Sequence, residues 1–211
     1  MTHTLAPDHH CVILGDRTVV LDVARDTYRL LGPPVAQALR SDRDAPGQAD
    51  VLNRLQSLGI IQPGSGGISF PSFERATSSA IELPRDHDHR LGFLTVSNAL
   101  LHAMATLRFR GLAYSLRKMA RPERPSLDPT DTLTAIAQAY DRQRSRIPLH
   151  QICLPDSIAL RHILQGQGVD AALIIGVRLD PFAAHCWLQS GSMVLNDSCD
   201  HVSCFTPILI Q

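Results

Sequence analysis

His185-Cys186-Trp187-Leu188-Gln189-Ser190-Gly191-Ser192-Met193-Val194-Leu195-Asn196-Asp197 is two β-rich runs around a Ser-Gly-Ser turn. With Gly191 as the midpoint of a hairpin, His185 falls opposite Asp197, and cross-strand partners share a face with Cβ atoms about 4.5–5.5 Å apart. That separation lets the carboxylate accept a hydrogen bond from the imidazole. Upstream, Cys153-Leu154-Pro155-Asp156-Ser157 places a cysteine just before a helix that has proline in its first turn. A helix start carries unpaired amides and a partial positive charge. Both favour a thiolate, the reactive form of cysteine, and the amides can hold an oxyanion. Taken singly, Cys153 also fits a buried structural cysteine, His185 a satisfied core histidine and Asp197 a turn residue. Together they supply a nucleophile, a base and a group that orients the base.

That order, on a helix start followed by two adjacent strands, is the order of papain-like and transglutaminase-like folds. The surrounding pattern agrees. Residues 91–119 read as helical, and three prolines within 121–129 break the pattern. Residues 130–144 form an amphipathic helix with Leu133, Ile136, Ala137 and Tyr140 on one face. Residues 153–165 form a third helix, stopped by Gly166 and Gly168. The chain then turns to strands at 171–177, 185–189 and 193–196.

The first 62 residues have a different pattern. Strands are expected at 11–14, 18–23 and 27–31, with a turn at Gly15-Asp16-Arg17. Pro33-Pro34 opens a helix to about Arg40, residues 44–48 form a loop, and Asp50 caps a helix bearing Val51, Leu52, Leu55 and Leu58 and ended by Gly59. Residues 63–90 are rich in proline, glycine and mixed charge and read as a linker. The expected organisation is thus a small domain over 1–62, a linker over 63–90 and a second domain over 91–211.

Composition narrows the function. The 211 residues hold 44% hydrophobic residues and equal numbers of basic and acidic ones, 20 each, so no basic field points to nucleic acid. The start of the chain lacks the basic and apolar runs of a secretory signal, and the apolar stretch 91–107 is too short and too polar for a membrane span. Five unevenly spread cysteines suggest free thiols in a reducing compartment, hence a cytoplasmic location. Cys199, His201 and Cys204 with Cys186 admit a zinc reading, as do His87 and His89, though structural zinc wants four ligands in paired spacing; no metal is expected. Gly64-Ser65-Gly66-Gly67 lacks the lysine of a phosphate-binding loop. Arg142, Arg144 and Arg146 fit a solvated helix end or a substrate contact.

The run Cys153-Leu154-Pro155-Asp156-Ser157-Ile158-Ala159-Leu160, then Gly176-Val177-Arg178, Pro181-Phe182-Ala183-Ala184-His185-Cys186-Trp187-Leu188 and Leu195-Asn196-Asp197, resembles the lasso-peptide maturation proteases, the B proteins. The resemblance covers about residues 147–208. It implies an α+β chain with a transglutaminase-like, papain-related cysteine protease domain whose Cys153, His185 and Asp197 hydrolyse the bond between leader and core of a precursor peptide. Val19-Val20-Leu21-Asp22, Tyr28-Arg29-Leu30-Leu31 and residues 55–61 resemble the family's leader-recognition element, a small winged-helix-like, PqqD-type domain. The region between Arg40 and Asp50 is short for that element, so its middle helix is expected to be reduced. In such elements the leader adds a strand to an exposed sheet edge and packs on the last helix. This implies an edge strand at 27–31, a helix at 50–58, and peptide contacts at Tyr28, Leu30, Leu52 and Leu55. For Leu52 and Leu55 a role in the small domain's own core is an equal alternative. The implied partners are the precursor peptide and a macrolactam synthetase. No cofactor is expected, and any ATP dependence is assigned to the partner. Transglutaminase-like acyl transfer and a non-catalytic leader-binding module remain as alternatives.

Overall fold

The computed structural model describes residues 3–40, 47–65, 67–84, 89–119 and 130–211. In chain order the elements are β1 (His3–Leu5), β2 (His9–Leu14), β3 (Arg17–Asp22), β4 (Thr27–Leu31), α1 (Pro33–Arg40), α2 (Gln48–Ser57), β5 (Ile61–Pro63), β6 (Ser78–Ser79), α3 (Phe93–Lys118), α4 (Thr130–Arg144), α5 (Cys153–Gly166), β7 (Ala172–Arg178), β8 (Ala183–Ser190), β9 (Met193–Val194), α6 (Cys199–Ser203) and β10 (Thr206–Ile210). The architecture is mixed α+β.

Near the N-terminus, β2, β3 and β4 form an antiparallel sheet in that order. The β2–β3 turn holds Gly15 at φ +60, a value glycine adopts without a Cβ clash. The run Thr18-Val19-Val20-Leu21 is apolar without alternation because β3 is buried on both faces. Val12, Val19 and Leu21 face the large core shared with α3, α4, α5 and the second sheet. Cys11, Val20 and Leu31 face a small core closed by α1 and α2. The second sheet runs β10-β7-β8-β9-β6, antiparallel except for the β6–β9 pair. Its end strand β10 lies beside β2. Helix α5 packs between α3 and β8, and Ile158, Ala159, Leu160 and Leu164 are buried round its circumference.

Several expectations need correction. A strand not expected at the chain start, β1, pairs with β5. Helix α2 begins at Gln48 behind Gly47, so Asp50 lies in its first turn and does not cap it. The segment read as linker contributes β6 to the second sheet, and Ala80 is fully buried. Helix α3 bends at Gly111, whose φ of +78 no regular helix contains, and it buries Val96, Leu100 and Ala103 in the core while Leu94 and Leu101 are 72% and 54% exposed. Strand β10 and helix α6 were not anticipated. The proline-rich break at 121–129, most of the loop at 44–48 and His87 lie outside the described residues. Among the described residues no helix is long and apolar enough to cross a membrane.

Candidate active site

Cys153 is the first residue of α5, and Ile152 before it is extended. A buried network holds this entry in place. The Asp156 carboxylate pairs with Arg144 and accepts the Ile152 N–H at 3.0 Å, and the Tyr140 hydroxyl lies 3.2 Å from it. Arg144 also donates to the carbonyls of Leu149 at 3.1 Å and His150 at 3.0 Å. Arg144 is therefore not a solvated helix end: it ties the end of α4 to the start of α5 and lines the cavity beside Cys153. Arg142 donates to the His89 carbonyl and Arg146 to Gln143.

His185 lies on β8 across from Gly176 of β7. A side chain at 176 would meet the Trp187 ring at 2.8 Å and Phe205 at 2.9 Å. Those two rings flank His185, at centroid distances of 6.0 Å and 5.2 Å. The glycine thus leaves room for the packing that orients the imidazole.

His185 Nε2 lies 2.6 Å from Asp197 Oδ2, yet the route to this contact differs from a simple hairpin. Gln189 pairs with Val194 and Ser190 with Met193, so the turn is Gly191-Ser192. Continued in this register, the ladder would set Asp197 opposite Cys186, on the face away from His185. The ladder instead stops after the Leu195 N–H donates to the Leu188 carbonyl. Asn196 then turns its side chain inward: its Oδ1 accepts the Leu188 N–H at 2.8 Å and its Nδ2 donates to Ser157 Oγ at 2.9 Å. That departure swings Asp197 back towards His185. Ser79 of β6 secures the new path by donating to the Asp197 carbonyl at 2.6 Å.

The electrostatics follow from these contacts. Burial of Cys153 opposes its ionisation, but the hydrogen bond with His185 and the backbone groups of Cys186 and Leu154 outweigh it, so its pKa falls below the ordinary thiol value. Burial likewise opposes the His185 cation; the Asp197 and Cys153 hydrogen bonds overcome it and push the pKa up to about 9. Burial would raise Asp197, yet hydrogen bonds from His185, His201 and the Ser198 N–H hold its carboxyl below the usual range. With Nε2 engaged by Asp197, Nδ1 is the His185 nitrogen left for the thiol. The arrangement favours a thiolate–imidazolium pair.

A cavity of about 540 Å³ opens on Cys153, His185 and Asp197, and Tyr140, Gln151 and His201 also line it. His201 went unrecognised as part of this cluster. Its signal was local: Ser198 caps a short helix by accepting the His201 N–H at 3.2 Å, and this returns His201 to Asp197 four residues back. Among the described residues, His185, Asp197 and His201 are the one group spaced to hold a metal ion, with ligand atoms within 4.8 Å. Those atoms already bond one another, and they are three where structural zinc takes four. The zinc reading of Cys199, Cys204 and Cys186 does not assemble: Cys186 is buried in the core while Cys204 is exposed at the end of α6.

None of the four residues assigned to peptide contact lines the cavity. Tyr28 of β4 packs edge-on against Phe182 at 5.5 Å, and burial, then Asp26, Cys186 and Cys153 nearby, push its pKa up. Leu30 shares that face of β4 and is 48% exposed. Leu52 is partly buried against the small core. Leu55 sits within it at 2% exposure, so a peptide contact there would require α2 to move off the sheet.

Comparison with known proteins adds two findings. A family model described as the transglutaminase-like superfamily matches residues 98–210, more than half of the chain. Over 46 residues the chain is 48% identical to the microcin J25-processing protein McjB of Escherichia coli, a match spanning 22% of this chain and 22% of that relative. No solved structure matches the chain.

Proposed function

The chain belongs to the transglutaminase-like superfamily, and on that premise we propose that it is the leader peptidase of a lasso-peptide pathway. In this reading residues 1–62 capture the leader of a ribosomally made precursor, and residues 91–211 cut the leader–core bond. The carrying observation is the chain of contacts from the Cys153 thiol through His185 to Asp197 at a helix start. The likeness to a protein named for processing microcin J25 supports a peptide precursor as substrate.

The Cys153 thiolate attacks the carbonyl carbon of the leader–core bond. The helix-start amides stabilise the oxyanion. The His185 imidazolium gives its proton to the departing core amine, leaving the leader as a thioester on Cys153. Neutral His185 then takes a proton from water, the resulting hydroxide displaces the thiolate, and the leader leaves as a carboxylic acid. Asp197 orients His185 and balances its charge throughout. The freed core amine passes to a macrolactam synthetase, to which any ATP dependence belongs.

Replacing Cys153 with alanine is expected to abolish leader release while leaving leader binding intact. Unchanged processing would overturn the assignment. Mass spectrometry of the products separates the other readings: a free leader carboxylate supports hydrolysis, and a leader joined to an amine supports acyl transfer. Tight leader capture with no turnover, even with the synthetase present, would favour a binding module.

A further inference from the structure

Asp197 is held by more than His185. Its Oδ1 accepts the Ser198 N–H at 2.7 Å, and His201 Nδ1 lies 3.0 Å from both carboxylate oxygens. Two imidazoles thus share one carboxylate, with ring centroids 4.5 Å apart. Near a carboxylate, Nδ1 is held as a donor. Phe205 packs edge-on against the His201 ring at 5.5 Å and fixes its tilt, while the outer side of that ring is half exposed. The charged groups around it are Asp197 and Asp200 in its own segment, His185 from β8, Arg178 from β7 across the Phe205 ring, and Glu82, which accepts the Cys199 N–H at 3.4 Å. Among the described residues, only the Asp197 carboxylate lies within hydrogen-bond reach of the His201 imidazole.

Asp197 needs this support for a reason visible in the fold. It lies beyond the point where the β8–β9 ladder ends, so no strand register fixes its side chain. A carboxylate held only by its neighbour's amide and by His185 can rotate about χ2, which is broad for aspartate. A second imidazole donating to both oxygens removes that freedom.

We propose that His201 is a positioning residue of the reaction centre, donating from Nδ1 to Asp197 so that the carboxylate stays aligned on His185 and, through it, on Cys153. This deepens the proposed function and rests on its assignment of Cys153 as nucleophile.

The test is the rate at which iodoacetamide alkylates Cys153 in the full-length protein, followed by peptide mass spectrometry from about pH 5 to pH 9, with exposed Cys204 as internal reference. Asparagine places its amide nitrogen near the position of Nδ1, and glutamine near that of Nε2. H201Q is therefore expected to slow Cys153 alkylation near about pH 6 by about tenfold, the effect of a one-unit rise in thiol pKa. H201N is expected to stay within about threefold of the parent, because it restores the donor without an ionisable ring. His201 is half exposed, so both variants should fold, as thermal melting will check. An H201Q rate equal to or above the parent's, or an H201N as impaired as H201Q, would overturn the role of His201 and leave the nucleophile assignment standing. A parent Cys153 that reacts no faster than Cys204 would overturn both.

Discussion

Strand β8, which carries His185, lies between β7 and β9, and its imidazole is enclosed by Trp187, Phe205 and His201. Strand β4, which carries Tyr28 and Leu30, pairs among the described residues with β3 alone, which leaves its other edge open there. On the proposed function, the two strands serve opposite requirements. A proton relay works when its members cannot wander, and His185, Asp197 and Asn196 each meet named partners. A strand that is to receive a peptide must keep backbone groups unpaired and some apolar surface uncovered. Edge strands in proteins are commonly blunted by charge, proline or bulges; β4 has no proline, carries one charge at Arg29 and presents Leu30 at 48% exposure. On the proposed function, selectivity resides at the open edge and bond cleavage at the enclosed strand.

The largest test of this contrast is Asp197→Asn, which leaves the shape of the enclosed site but misorients His185. It should lower the rate of leader cleavage by about 10³–10⁴-fold without changing leader affinity. A fall below tenfold would mean that Asp197 does not govern the imidazole. Arg144→Ala should come next. It strands the Asp156 carboxylate in a buried setting, and denaturant unfolding should show a loss of about 3–5 kcal/mol. Gly176→Ala presses on Trp187 and Phe205, at about 1–3 kcal/mol in stability, and its cleavage rate should fall further than that loss of folded protein explains. If the rate only tracks the folded fraction, the rings do not orient His185.

The pH profile has a definite sign. His185 is raised to about 9, so its proton is present below that value and lost as pH rises through it. Leader cleavage should therefore fall on the alkaline side of about pH 9, approaching tenfold per unit. The stability that His185 gains from its partners is likewise complete below about pH 6.5 and lost as pH rises through about 9. A rate still climbing at pH 10 would exclude His185 as the acid for the leaving amine. The smallest effect belongs to the open edge. Leu30→Ser should weaken leader binding by about tenfold, the worth of one modest apolar contact, and leave turnover of bound leader unchanged. Calorimetric titration with the leader peptide would read it, and an effect on turnover instead would blur the division between the two strands.

Local chemistry made much of this legible. The helices over 130–144 and from Cys153, the strands of the first sheet and the helix from Pro33 to Arg40 lie where periodicity and turn residues put them. Hidden features were of another kind. Strands β1 and β5 are too short to stand out as periodic runs, and β6 lies in a segment whose prolines and glycines look like a linker. Each exists because a distant strand offers hydrogen bonds, and no local pattern encodes a partner far along the chain.

The site divides in the same way. The sequence by itself determined the reactive residue types, the helix start at Cys153 and the short separation that lets His185 and Asp197 meet. It misjudged how they meet, because a one-residue change of register reverses a face and only the inward turn of Asn196 restores it. Tertiary structure alone decided that Arg144 is a buried tie, that Gly176 makes room for the rings around His185, and that His201 joins Asp197. The physical reason is common to all three. Each depends on a group brought close by folding, whose burial or hydrogen bond outweighs what the residue would do in water.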